Sequence, residues 1–203
     1  EVLLKKGNIK AALTTSFRSG MQSYTFDAAA TEGKILLDLQ HRDLVIESSL
    51  EIVNDHEIRG MRRSRSWATN QYLFFYMRFG KPIKEYGIAL NDELQKGINS
   101  VGGKNIKAFF SFDVKDQKPL LVKVGISGVS MDNAKQNLDT EIKDWNFKAL
   151  KTKAEKEWNK ELRKIEIKGG TKDQQVAFYS ALYHTMLSPN IYTDVNGEFR
   201  GTD

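Results

Sequence analysis

Hydrophobic and polar positions alternate with a period of two through most of the first 129 residues. Leu44, Ile46, Ser48, Leu50 and Ile52 fall on one side of such a pattern, and Val45, Glu47, Ser49, Glu51 and Val53 on the other. That is the signature of a strand with one wet face. Ile106–Asp113 and Leu120–Ile126 repeat it, and Ile9–Phe17, Met21–Phe26, Lys34–Leu39, Glu57–Arg63, Gln71–Phe79 and Ile83–Leu90 are further strand candidates. Turn residues separate them at Gly7-Asn8, Ser19-Gly20, Asn54-Asp55, Gly102-Gly103 and Asp116–Pro119. Closely spaced strands without intervening helices predict an antiparallel sandwich of two sheets. In Gln71–Phe79 both faces are apolar, so this strand is expected at the centre, covered by a second sheet on one side and by a neighbouring domain on the other.

The period then changes. Ser130 can cap a helix over Met131–Ile142, with Ala134, Leu138 and Ile142 on one face. Phe147, Leu150, Ala154, Trp158, Leu162 and Ile165 form a single stripe, as in a surface helix lying on something larger. After Gly169-Gly170, Thr171 and Gln174 make a capping-box signature. The helix expected over Gln174–Leu187 is apolar almost all round, through Val176, Phe178, Tyr179, Leu182, Tyr183 and Met186. Such a helix is a buried one: it is expected to fold back onto the Tyr72/Phe74/Tyr76 side of the central strand, the alternative being to pair with the same helix of another copy. A hairpin of Ile191–Asp194 and Glu198–Arg200 is expected around Asn196-Gly197.

Composition narrows the chemistry. The chain has 203 residues, 31 basic against 26 acidic and a net charge of +5, too mild to argue for nucleic acid. The aromatics that follow Arg59, Arg62, Arg63 and Arg65 do not change this, because alternation puts Arg62 on the opposite face from the other three. Having no cysteine, the chain makes no disulfide and has no thiolate metal site or thiol catalyst. No apolar run approaches the ~20 residues of a membrane span. The three histidines, His41, His56 and His184, lack a second ligand at metal-binding spacing. His184 is read either as a hydrogen-bonded residue of a buried helix or as a site-lining group, and Trp67 either as core or as a platform for a sugar ring. A strand pattern that opens almost at once, without an initial Met, reads as an internal piece of a longer polypeptide.

Several stretches together resemble glycoside hydrolase family 92. Gly60, Arg62, Ser64, Trp67, Ala68, Gln71, Phe75, Phe79, Lys81 and Pro82 match its sandwich motif. Val124–Ser127, Ala134, Asn137, Leu138 and Glu141 match the exit from the sandwich. The strongest similarity is F-Y-S-A-L-Y-H-T-M-L-S-P-N at 178–190 with D-V-N-G-E-F-R-G at 194–201, and Leu13-Thr14-Thr15, Arg18, Gly20 and Tyr24-Thr25-Phe26 keep the same order. The resemblance implies a bacterial, calcium-dependent, inverting exo-α-mannosidase acting on mannose-containing glycans. It implies an antiparallel β-sandwich (1–129), a helical linker (130–170) and the first helix of a catalytic (α/α) barrel (171–203). It further implies catalytic carboxylates and calcium ligands in the rest of the catalytic domain of the same polypeptide, so no calcium and no catalytic residue are expected within this chain. Trp67, Arg62, His184 and Arg200 are the residues expected nearest the substrate, and the protein is expected to be exported, periplasmic or at the cell surface. The competing reading is a stand-alone carbohydrate-binding or interdomain sandwich module without catalysis.

Overall fold

The computed structural model describes residues 1–201. The strands are β1 (Val2–Leu4), β2 (Ile9–Thr15), β3 (Ser19–Thr25), β4 (Glu32–Asp38), β5 (Leu44–Asn54) and β6 (Glu57–Arg65). They continue with β7 (Gln71–Phe79), β8 (Glu85–Leu90), β9 (Glu93–Gln95), β10 (Ser100–Gly103), β11 (Ile106–Asp113) and β12 (Leu120–Ser127). Helices α1 (Met131–Glu141), α2 (Phe147–Leu162) and α3 (Lys172–Thr185) follow.

Two antiparallel sheets form the expected sandwich. The larger runs β1-β2-β3-β12-β7-β6-β5-β10 and the smaller β4-β11-β8-β9. Strand β7 lies inside the larger sheet between β12 and β6, with Ile126 opposite Phe75 and Gly60 opposite Phe75 on the other side. Its odd-numbered residues Phe75, Met77 and Phe79 face the smaller sheet and join Ile58, Ile88, Phe110, Phe112, Leu120 and Val122 in one core. Phe79 lies 5.6 Å from Phe110 and 5.0 Å from Phe112 between ring centres.

The even-numbered residues of β7 face outward, and α1 covers part of that face. Ser130 caps α1 by accepting from the Asn133 amide, and Ala134, Leu138 and Ile142 bury Tyr76 and Met21 with help from Leu150 of α2. The approach is so close that a Cβ on Gly125 would stand 2.2 Å from the Ala134 carbonyl oxygen, so only glycine fits beneath the helix. Lys123, also outward and 2% exposed, donates to the Ile142 carbonyl at the end of α1 and lies 4.3 Å from the Trp145 ring centre. A cation there complements the negative end of the helix. Burial, and then the Arg78 charge, hold its pKa below the ordinary lysine value.

Three expectations are corrected. Helix α3 forms with its capping box, but none of its residues is buried. It does not fold back onto Tyr72, Phe74 and Tyr76; it touches α2 through the tilted Trp158–Tyr183 pair at 4.7 Å. Val176 stays 57% and Tyr183 37% exposed. An apolar helix is covered only where a surface of matching shape is in reach, and α1 already occupies that part of the sheet. The turn at Asn196-Gly197 forms, with the Asp194 amide donating to Glu198 O and the Gly197 amide to Asp194 O, yet no strands flank it. The neighbouring backbone groups are taken by side chains instead: Thr193 O accepts from Arg18 and the Val195 amide donates to Asn137. Finally, two expected connectors are strand: Gly102-Gly103 ends β10, paired with Ser49 and Ser48, and Ser19-Gly20 opens β3, paired with Gly125 and Val124.

Candidate functional site

The outward face of the larger sheet carries the densest grouping of the expected site residues. Tyr72 and Phe74 of β7 stack with ring centres 6.2 Å apart and planes inclined by 11°. The Arg200 guanidinium lies over this pair, 3.9 Å from the Tyr72 ring centre and 5.8 Å from that of Phe74. Its Nε donates to Gly128 O at 2.7 Å and its Nη2 to Val129 O at 3.3 Å, which fixes the plane of the stack. Arg63 of β6 also approaches Tyr72, at 5.1 Å, and bonds the Asn70 side chain at 2.7 Å. Cation–π contacts of this kind are strongest when partly desolvated, as Tyr72 and Arg200 are.

Trp67 sits in the loop joining β6 to β7, next to this grouping, and is 100% exposed. Of its two sequence readings, the core one is therefore wrong. Nothing in the loop shields the indole, and a Ser66 amide bond to Ala68 O closes a tight turn beneath it.

Arg62 lies elsewhere. Alternation places it on the inner face of β6, opposite Leu73. Its guanidinium donates to Leu39 O, Ser64 Oγ, His41 O and Asp43 O at 2.8–3.1 Å. Three of these four bonds hold the connection between β4 and β5, and the fourth stays within β6. His184 is on exposed α3 with Tyr183 5.8 Å away, not in a buried setting. The fold therefore brings Arg200 to the Tyr72 stack beside the Trp67 loop, and sets Arg62 and His184 apart from them.

Two polar constellations were missed in the sequence. In one, Arg78 donates to Glu57 at 2.5 Å and to Asp139 of α1 at 2.8 Å, while the Tyr76 hydroxyl donates to Glu57 at 3.0 Å. Burial, reinforced by the Glu57 acceptor, pushes Tyr76 up to about 12. Burial alone would raise Glu57, but hydrogen bonds from Arg78, Asn54 and Tyr76 bring it below its ordinary value. In the other, buried Asp194 accepts from Ser127, Asn133 and Asn137 at 2.6–2.8 Å. Close by, Arg18 pairs with Glu141 at 2.9 Å. Asn133 and Asn137, spaced i and i+4 on α1, were the available signal, since that spacing puts two amides on one helix face.

Comparison with known proteins places these features. The glycosyl hydrolase family 92 N-terminal domain model matches residues 1–127, and the catalytic domain model of the same family matches 133–203. A family GH92 α-mannosidase of Bacteroides thetaiotaomicron, also solved with mannoimidazole, superimposes with a TM-score of 0.88 and 30% identity over 96% of this chain. An inverting family GH92 mannosidase of Bacteroides thetaiotaomicron VPI-5482 gives 0.83 and 26% identity over 94% of this chain. The chain spans 27% and 26% of those two structures. An uncharacterized secreted glycosidase of Arthroderma benhamiae is 34% identical over 131 residues, 58% of this chain and 17% of that protein. The two domain matches meet where the sandwich ends and α1 begins, and together they leave little of the sequence unaccounted for: the chain belongs to glycosyl hydrolase family 92.

Proposed function

We propose that this chain is the sandwich and linker portion of an exo-α-mannosidase that removes terminal α-linked mannose from glycans with inversion, in a calcium-dependent reaction. The observation that carries this reading is the superposition of 96% of the chain on a GH92 α-mannosidase. It disfavours a stand-alone binding module, because the matched length continues past the sandwich through α3.

Inversion needs a carboxylic acid and a carboxylate on opposite sides of the sugar, roughly 6.5–9.5 Å apart with water between. We assign both to the remainder of the catalytic domain. The described residues bring together no three His, Asp or Glu side chains able to hold a metal. The calcium ligands are proposed in that same remainder of the catalytic domain. In this chain Trp67 is the side chain best presented to a pyranose, whose C–H faces suit an exposed indole. Arg200 is proposed at the rim of the same site. Among the described residues no helix is long and apolar enough to cross a membrane. Export to the periplasm or cell surface is proposed on the likeness to a secreted glycosidase.

Product stereochemistry tests the proposal. Proton NMR of the first sugar released by the intact enzyme from p-nitrophenyl α-mannoside is expected to show β-mannose, with release abolished by a chelator and restored by calcium. α-Mannose appearing first would contradict inversion. Hydrolysis by the 203-residue chain alone would contradict placing the carboxylates elsewhere.

A further inference from the structure

The two ends of the region after α3 behave differently. Helix α3 buries none of its residues completely, yet the residues that follow it are pinned to the sandwich. Asp194 is 5% exposed, and both of its carboxylate oxygens are used. Oδ2 accepts from Ser127 Oγ at 2.6 Å and from Asn133 Nδ2 at 2.8 Å, and Oδ1 accepts from Asn137 Nδ2 at 2.7 Å. Asn137 returns a bond by accepting from the Val195 amide at 2.9 Å, and Asn133 also donates to Glu198 at 2.8 Å. On one flank Arg18 Nε donates to Thr193 O at 2.5 Å, and on the other Arg200 reaches Gly128 O.

We infer that residues 193–200 form an interdomain clasp, with Asp194 as the positioning residue that locks catalytic-domain chain to the sandwich independently of α3. The partners lie on both sides of the family boundary. Arg18 and Ser127 belong to the N-terminal domain match, whereas Asn133, Asn137 and Asp194 belong to the catalytic match. A buried carboxylate without a cation is costly unless its lone pairs are filled. Three neutral donors from two different elements fill them here, and they do so in only one placement of the segment. A clasp of this kind sets where the chain leaving α3 lies, while α3 itself remains free to be covered by something else. The sandwich then has a mechanical role, which is to hold a catalytic-domain loop in register over the Tyr72 stack. This inference does not rest on the mannoside reading.

Amide hydrogen exchange on the 203-residue chain tests it. In the unaltered protein the Asp194, Val195 and Gly197 amides, each hydrogen-bonded, are expected to exchange more slowly than those of α3. Asp194→Asn replaces one of the two acceptor oxygens with an amide donor that faces donors, and is expected to speed exchange across 193–200 by on the order of tenfold to a hundredfold. Amides of β7 and β12 should keep their rates, whereas losing a residue that serves only global stability would speed exchange in all three regions together. Should Asp194→Asn fail to fold, Ser127→Ala decides, because it removes one donor and is expected to give a smaller acceleration confined to the same segment. Segment amides as fast as those of α3 in the unaltered chain, or unchanged by both variants, would overturn the clasp.

Discussion

Helices α1 and α3 invert what their hydrophobicity suggests. The apolar stripe of α1 is narrow, with Asp132, Asn133, Lys135, Gln136 and Asp139 around it, yet Ala134 and Leu138 are completely buried. Although α3 carries Val176, Phe178, Tyr179, Leu182 and Tyr183, it buries none of its residues. The difference lies in the surface each helix meets. Beneath α1 the sheet offers Gly125, Met21 and Tyr76, so the helix backbone comes into contact, and Arg78 ties Asp139 to Glu57 across the seam. Only α2 lies beside α3, and the Trp158–Tyr183 pair is the aromatic contact between them. Hydropathy therefore says how much surface a helix must cover, but the presence of a complementary surface decides whether it does.

Core truncation separates the two regions most strongly. Phe110→Ala, removing a completely buried ring at the sandwich centre, should cost ~3–5 kcal/mol in chemical unfolding. Gly125→Ala comes next. It forces α1 off β12 or strains the strand, at ~1–3 kcal/mol, and should loosen α1 without disturbing the smaller sheet, as exchange of α1 amides would reveal. By contrast Tyr183→Ala should cost about 1 kcal/mol, since it loses one aromatic pair on a helix that has no fully buried residue. A Tyr183 effect as large as that of Phe110 would break the comparison.

The smallest expected effect is a pH dependence of α1 docking. Glu57 and Asp139 both titrate below their ordinary values of 4.5 and 3.8. For Asp139, burial opposes the shift and hydrogen bonds from Lys135 and Arg78 produce it. A carboxylate with a depressed folded pKa contributes stability that is present above the unfolded value and lost as pH falls through the folded one. Stability should therefore decline below about pH 4.5, and Arg78→Met should flatten that decline. A steeper acid dependence in Arg78→Met would contradict the assignment.

Much of the sandwich was legible because alternation survives in strands of seven residues or more, such as β7 and β11, whose bounds fall where the pattern puts them. β9 and β10 have only three and four residues, too few for periodicity, and the Gly102-Gly103 pair disguised β10 as a turn. Spacing alone set Arg62 on the opposite face from its neighbouring arginines, but three of its four acceptors come from residues 19 to 23 positions away. Trp67 was read as possible core because of its residue type, yet the turn chemistry of Ser66 and Ala68 lifts it into solvent. The Asp194 network escaped notice because it joins residues up to 67 positions apart, and no local pattern encodes such a meeting. The ordered family motifs reached further than periodicity did, since they carry long-range arrangement that a single strand or helix cannot.

Limited trypsin digestion read by mass spectrometry tests the contrast between covered and uncovered helices most directly. The account predicts first cuts at Lys164 and Lys168, in the exposed connection leading into α3, and at Lys172, its first residue. Lys123, Lys135 and the arginines of β6 should remain uncut at that stage. First cuts within the sandwich or α1, or an α3 region as resistant as α1, would contradict it.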